Sequence, residues 1–291
     1  LDVYRWAHGA ASSPAYGYLA GGNGSGQYTS VSRIDYGSDT SVASPKGNLS
    51  DQHSNTAGTG NASYGYIGGG NPPTRSTIDR IDYGNDTATA VAKGPLSSVG
   101  GGNNSSARGL LAAAGNLSYG YFGGGSPGFG SVSAVDRLDY SNDTAATSPK
   151  GPLSGAKSYL SALGTPNYGY FAGGEPRLST VDRIDFANDT ATASPKGALN
   201  LGRHEMASTG NAHFGYFGGG MNPNPSQKST VDRINFANDT ETAVTVGPLT
   251  RTARSFTAVS AQENGLSTLT TTSSFIPRIR WVDSAPEVPA S

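Results

Sequence analysis

An all-β fold, a six-bladed β-propeller of four-stranded blades, is what the sequence predicts, and three observations predict it. An aromatic and glycine-rich phrase, as in Tyr119-Gly120-Tyr121-Phe122-Gly123-Gly124-Gly125, recurs five times. A second phrase, Val135-Asp136-Arg137-Leu138-Asp139-Tyr140 in that copy, follows it each time. Glycine (42) and proline (17) together make about one residue in five of the 291, too frequent a punctuation for any helix. Self-similarity at a period near 50, with a strand-turn-strand texture inside each period, is the signature of radially repeated sheets.

The glycine phrase occupies Tyr16–Gly22, Tyr64–Gly70, Tyr119–Gly125, Tyr168–Gly174 and Phe214–Gly220. The arginines of the second phrase are Arg33, Arg80, Arg137, Arg183 and Arg233. A decayed sixth copy reads Ile276-Pro277-Arg278-Ile279-Arg280-Trp281, and its glycine phrase is replaced by Leu266-Ser267-Thr268-Leu269-Thr270. Within the third copy the elements follow in order. Strand a is the small-residue run Leu110–Ala114, and Asn116 to Ser118 turn the chain. Strand b is the aromatic run Tyr119–Phe122, ended by glycines. Strand c, Ala134–Tyr140, alternates strictly, with Val135, Arg137 and Asp139 on one face. Asn142-Asp143 turns into strand d, Thr144–Ser148, which Pro149, Gly151 and Pro152 end. Closing six such units into a ring buries faces that a lone blade would leave wet. The expectation is one domain over 1–282, with the sixth blade degenerate and closed by the N-terminal segment Leu1–Tyr4, and a proline-containing C-terminal tail over 283–291.

Composition excludes several classes. A net charge of −1 lacks the basic excess of a general nucleic-acid binder. No run approaches the ~18 apolar residues of a membrane helix. Fifteen tyrosines and nine phenylalanines argue against disorder, and the absence of cysteine removes disulfides and thiolate zinc sites. The four histidines show no metal-ligand spacing, so neither metal nor cofactor is expected. Glu175, Glu205, Glu241 and Glu263 are the distinctive carboxylates and show no pairing of the kind a glycosidase needs. No catalytic residue is assigned, and the chain reads as a non-enzyme.

Two sets of residues are candidates for binding. A basic column lies 13 positions before the second aromatic of each glycine phrase: Arg5, His53, Arg108, Lys157 and Arg203, with Arg254 opening the sixth copy. Sixfold symmetry would place these cations in an axial ring able to hold an anion, unless each pairs with a carboxylate of its own blade. The Arg-x-Asp pairs of strand c are read as bridges between blades, because a catalytic site needs one constellation and not several equivalent ones. The Asn-Asp-Thr turns are read as bonding their own backbone, and their sequons as inert. The second candidate is a variable loop face. The connections between strands b and c, and those between d and a, differ in length and emerge on one face of the disc. That face carries Tyr28, Arg75, Phe129, Glu175, Arg177, Asn222 and Lys228, residue types suited to recognising a glycan or a protein surface.

The aromatic and double-glycine motif, as in Tyr121-Phe122-Gly123-Gly124, resembles the kelch repeat, although the kelch tryptophan is missing from every copy but the decayed one. The whole phrase through Ser148-Pro149-Lys150-Gly151-Pro152-Leu153 is similar to tandem repeats in uncharacterised proteins of marine bacteriophages, especially those infecting cyanobacteria. The first likeness implies the fold and little of the function. The second implies a virion-associated or extracellular protein. Its expected partners are a cell-surface glycan or protein, or other virion proteins. A structural or decoration role in a virus particle is the alternative, and a glycan-processing enzyme a third reading.

Overall fold

The computed structural model describes residues 4–38, 40–97, 106–222, 226–260 and the backbone of 279–282. Five four-stranded antiparallel sheets follow one another along the chain. Blade 1 is β1 (Gly9–Ser12), β2 (Tyr16–Ala20), β3 (Val31–Asp35) and β4 (Ser44–Lys46). Blade 2 is β5 (Ala57–Gly60), β6 (Tyr64–Gly68), β7 (Ile78–Asp82) and β8 (Val91–Ala92). Blade 3 is β9 (Ala112–Gly115), β10 (Tyr119–Gly123), β11 (Val135–Asp139) and β12 (Ser148–Lys150). Blade 4 is β13 (Ser161–Gly164), β14 (Tyr168–Ala172), β15 (Val181–Asp185) and β16 (Ser194–Lys196). Blade 5 is β17 (Ala207–Gly210), β18 (Phe214–Gly218), β19 (Val231–Asn235) and β20 (Val244–Val246). β21 (Thr257–Ser260) and β22 (Ile279–Val282) form a two-stranded sheet, and β21 packs against both β17 and β1. The described chain is thus a β-propeller of five four-stranded blades, with this pair between the fifth and the first.

Several sequence expectations shift. The sixth four-stranded blade is not present among the described residues. β22 pairs directly with β21, Val259 opposite Arg280, so Ile279 to Val282 hold the place of strand b and not that of strand c. Closure by Leu1–Tyr4 falls largely outside the described residues, as do the 283–291 tail and most of the insertion at 99–106. Trp6 bridges Asn23 of its own blade, and β1 starts only at Gly9. The outer strand of blade 3 is Ser148–Lys150, so Pro149 lies inside it, opposite Asp136. Proline is tolerated there because the outermost strand has a free edge toward which its missing N–H can point. The residues before it do not extend. Asp139 caps a 3-10 turn, Tyr140–Asn142, by accepting from the Ser141 N–H at 2.9 Å, and Asp82 and Asp185 cap the corresponding turns.

What joins blade to blade is a seam repeated four times. The buried tyrosine of the second strand stacks on the aromatic that follows the next blade's third strand, as Tyr66 on Tyr140 with centroids 4.9 Å apart. Its hydroxyl donates to an aspartate of the next blade's turn, Tyr66 to Asp143 at 2.9 Å. Arg80 and Lys93 of the same blade reach that carboxylate at 2.8 and 3.1 Å. Tyr18, Arg33 and Lys46 meet Asp86 in this way, Tyr121, Arg137 and Lys150 meet Asp189, and Tyr170, Arg183 and Lys196 meet Asp239. The arginines do bridge neighbouring blades, but their partner is the turn aspartate and not the aspartate two residues on. Those turns therefore do more than bond their own backbone. Burial alone would raise the carboxyls of Asp86 and Asp143, but the tyrosine, lysine and arginine outweigh it and hold both below the usual range.

Glycine closes the seam. The Gly94 N–H donates to the Asp143 carbonyl at 2.8 Å, and a Cβ on Gly94 would overlap the Ala145 carbonyl. Among the described residues the fifth blade does not show this finish. Val246 stands in the lysine place, and Arg233, 4.5 Å over the Phe214 ring, meets no carboxylate among the described residues. The hydroxyl-bearing ring of Tyr216 is half-buried where its counterparts are fully buried.

Candidate functional site

The basic column does not form an axial ring. Arg5, His53, Arg108, Lys157 and Arg203 are all buried, and none of the six candidates lines the axial cavity. Each of four pairs with the aspartate at the second place of its own blade's third strand. Arg108 lies 2.7 Å from Asp136, Lys157 2.9 Å from Asp182, Arg203 2.7 Å from Asp232 and His53 3.5 Å from Asp79. Blade 1 has Ser32 there, and Arg5 instead donates to the carbonyls of Leu19, Gly21 and Ser30. The column also braces the glycine loop from beneath: His53 Nδ1 with the Gly69 carbonyl, Arg108 Nε with that of Gly124, Arg203 with that of Gly219. Burial of an unpaired cation would be prohibitive, so own-blade pairing is the arrangement that keeps these positions basic. Burial lowers Arg203 and raises the Asp79 carboxyl even so. Arg254 is one residue out of register. Ala253 takes the column's backbone place, its carbonyl accepting from Gly220 as that of Arg203 accepts from Gly174.

Two residues beyond the column, the chain builds a collar around the axis. Ala7, Asn55, Leu110, Tyr159, Glu205 and Ser255 all have left-handed backbones, with φ from 53° to 60°. The N–H of each donates to the carbonyl of the one before: Asn55 to Ala7, Leu110 to Asn55, Tyr159 to Leu110, Glu205 to Tyr159, Ser255 to Glu205 and Ala7 to Ser255, at 2.7 to 3.1 Å. The hydrogen bonds close on themselves, and that circle holds six non-glycine residues in a conformation that costs each of them strain. Each collar residue is followed by the first residue lining an axial cavity of about 170 Å³: His8, Thr56, Leu111, Leu160, Met206 and Phe256. The His8 nitrogens and the Thr56 hydroxyl are buried there without a hydrogen-bond partner. Burial, and then the Arg5 charge, push the His8 imidazole down to about 3, so it is neutral at physiological pH.

Repeat copies that agree along the seams disagree here. The place before the collar holds Trp6, Ser54, Gly109, Ser158, His204 and Arg254, and the first place after the paired glycines holds Asn23, Asn71, Ser126, Glu175 and Met221. Ser158 and Glu175, and likewise His204 and Met221, face each other as isolated bridges, which brings both variable places to the axial mouth. Carboxylates that showed no pairing along the chain converge in this sector. His204 has Nδ1 3.5 Å from Glu205 Oε1 and Nε2 3.6 Å from Glu175 Oε1.

The predicted loop-face residues are scattered by comparison. Glu175 is at the mouth. Arg177, in the same turn, is exposed with φ 57°, and its carbonyl backs onto Gly202, whose own carbonyl accepts from the Asn222 amide. Arg75 pairs with Asp51 on the rim of blade 2. The Tyr28 hydroxyl folds back onto Ser25, whose hydrogen bonds hold that phenol below its usual range. Lys228 donates to Ser226 at 2.9 Å and bridges Ala253. Phe129 stands 86% exposed between two positive-φ glycines at the tip of its loop. Tyr159, His204 and Glu205 were missed as a group; their common signal is a fixed offset from the basic column. Among the described residues no group of side chains is arranged to hold a metal ion, and no helix is long and apolar enough to cross a membrane. No protein-family model matches the chain, and no curated protein shows significant similarity to it.

Proposed function

We propose that the chain is a non-catalytic recognition propeller, kelch-like in its repeats, that binds a cell-surface glycan or protein through the face carrying the collar and the loops between second and third strands. One observation carries this reading. Residues that repeat faithfully are consumed by the seams and by the braces under the glycine loops, whereas residues that differ collect around one axial mouth. A scaffold whose stability is independent of its rim is suited to presenting one specific surface. β21 and β22 belong, in this proposal, to the inner half of a sixth blade. The likeness to phage repeats supports a place on a virion or otherwise outside the cell.

Purified protein applied to a broad glycan array, acidic glycans included, tests the reading. Saturable binding that is lost in Arg75→Ala, Arg177→Ala or Phe129→Ala supports it. Binding insensitive to all three, or to no glycan and no host surface protein, removes it. A second reading is an assembly or decoration protein that uses the disc as a packing unit. Copy number in purified particles decides for it. Glu175 and Glu205 on either side of His204 keep a glycan-processing enzyme in view, and release of sugar in the same incubations is the readout that would require it.

A further inference from the structure

The sector of the mouth between blades 4 and 5 departs furthest from the repeat. No other described blade has an acidic residue at either of the two places filled by Glu175 and Glu205. Tyr159, the collar residue before Glu205, meets the His204 ring edge-on with centroids 5.8 Å apart. Its phenol is raised by burial first and then by Glu205 and Glu175, so both negative charges reach it. Donors are in short supply. Glu205 accepts from the Ser255 hydroxyl and has Arg254 at 3.7 Å, a half-exposed side chain that also points at the Met221 sulfur. The Glu175 side chain, 36% exposed, accepts no hydrogen bond among the described residues. His204 is 4% exposed, yet neither ring nitrogen makes a hydrogen bond. A buried imidazole with both nitrogens idle is rare, and here it adjoins two carboxylates and a phenol with more acceptor capacity than the protein fills.

Resting on the glycan reading above, we propose that this sector binds the primary ammonium group of an amino sugar, held by the Glu175 carboxylate, with Glu205 on the other side of His204 adding its negative charge. An ammonium brings three N–H donors and a positive charge to a carboxylate short of donors in a sector of two negative charges. The Tyr159 ring gives the sugar an aromatic edge to rest on, and a cation close to it gains further. Arg254 and Ser255 hold Glu205 on the far side, so Glu175 is the freer of the two carboxylates and closes on the ligand.

Calorimetric titration of the intact chain at neutral pH tests this with three probes: glucosamine, N-acetylglucosamine and Nα-acetyl-lysine methylamide. Glucosamine should bind saturably, and about tenfold tighter than its N-acetyl form, which lacks the charge. Glu175→Gln, on a partly exposed side chain, should weaken glucosamine about tenfold with an unchanged melting temperature, while Val42→Ala, on an exposed turn of blade 1, should leave it alone. Equal binding of the two sugars, no binding of glucosamine, or an unaffected Glu175→Gln overturns the proposal. Tighter binding of the lysine derivative than of glucosamine would overturn the sugar as the source of the ammonium. Failure here is separable from failure of the broader reading. Array binding abolished by Arg75→Ala but untouched by Glu175→Gln leaves glycan recognition standing without this site.

Discussion

Replacing one glycine by alanine at two equivalent positions should give opposite results. Gly94 and Gly247 both follow the outer strand of a blade, but among the described residues only Gly94 of the two has a neighbouring blade's turn against it. A Cβ on Gly94 would lie well inside 3.0 Å of the Ala145 carbonyl oxygen and carbon, both backbone, which no side-chain rotation relieves. The seam must open. Opening it loses the Gly94–Asp143 backbone hydrogen bond and pulls the Asp143 carboxylate from Tyr66, Arg80 and Lys93. Overpacking costs about 1–3 kcal/mol and a lost backbone hydrogen bond about 1 kcal/mol, so Gly94→Ala should destabilise by about 2–4 kcal/mol. Around Gly247 no described residue has an atom within 4 Å of an added Cβ. There alanine only narrows the unfolded ensemble and should be neutral or stabilising by up to about 1 kcal/mol. Urea unfolding of both variants beside the parent gives the comparison directly, with the slopes checked for equality. If the two midpoints agree, the seam is not what glycine serves at this position, and the account of blade-to-blade closure fails.

Three further outcomes follow from the same contacts. Asp143→Ala strands the fully buried Tyr66 hydroxyl and two cations, and should cost about 2–4 kcal/mol, of which Tyr66→Phe in the same chain recovers a measurable part in a double-mutant cycle. His8, neutral in the fold at about 3 against 6.5 unfolded, takes up a proton on unfolding between those values. Its stabilisation is therefore complete above pH 6.5 and declines as pH falls toward 3, by about 2 kcal/mol from pH 7 to 5. His8→Leu, the residue blades 3 and 4 use at this place, should flatten that decline, and parallel stability curves for parent and variant would refute it. Ala7→Gly relieves a left-handed alanine and should raise stability by about 0.5–1 kcal/mol after glycine's larger unfolded entropy is counted; a loss measured by chemical denaturation would show that the collar stores no strain there.

The architecture was legible because it is written five times over: aromatics, glycine pairs and the strand-c phrase recur with nearly fixed spacing. The partners of the repeated charges were not. Arg137 and Asp139 share a face of one strand, which suggests a pair, but Asp139 sits at the strand end and is taken by the Ser141 N–H. The carboxylate Arg137 reaches is 52 residues away in a turn, a distance that only the closed ring makes short. The basic column left two readings open, an axial ring and pairing within each blade, and the structure shows the second. Repetition alone could not choose between them, although the companion aspartates Asp79, Asp136, Asp182 and Asp232 stood in the same copies. In the sixth copy the glycine phrase that anchors the 13-residue spacing is lost, so Arg254 was placed one residue late. The collar left no composition signal at all, since left-handed backbone usually announces itself by glycine or asparagine, and only Asn55 does so.

That silence follows from how the collar is made. Its six hydrogen bonds run from backbone to backbone, so no side chain is needed to hold the circle. Residues without a branched Cβ are all accommodated there at a moderate conformational cost, so the identity of the side chain is left largely free. Alanine, asparagine, leucine, tyrosine, glutamate and serine all occupy it, and β-branched residues, for which a positive φ is most costly, do not. The seams work the other way. Each uses a tyrosine, an arginine, a lysine, an aspartate and a glycine in fixed geometry, and a change in any one leaves a buried partner unmatched. Stability is thereby assigned to the repeated residues and surface chemistry to the unrepeated ones. A substitution at the axial mouth can alter what the face presents without loosening the ring, which is why the asymmetry of blades 4 and 5 reads as chemistry and not as decay.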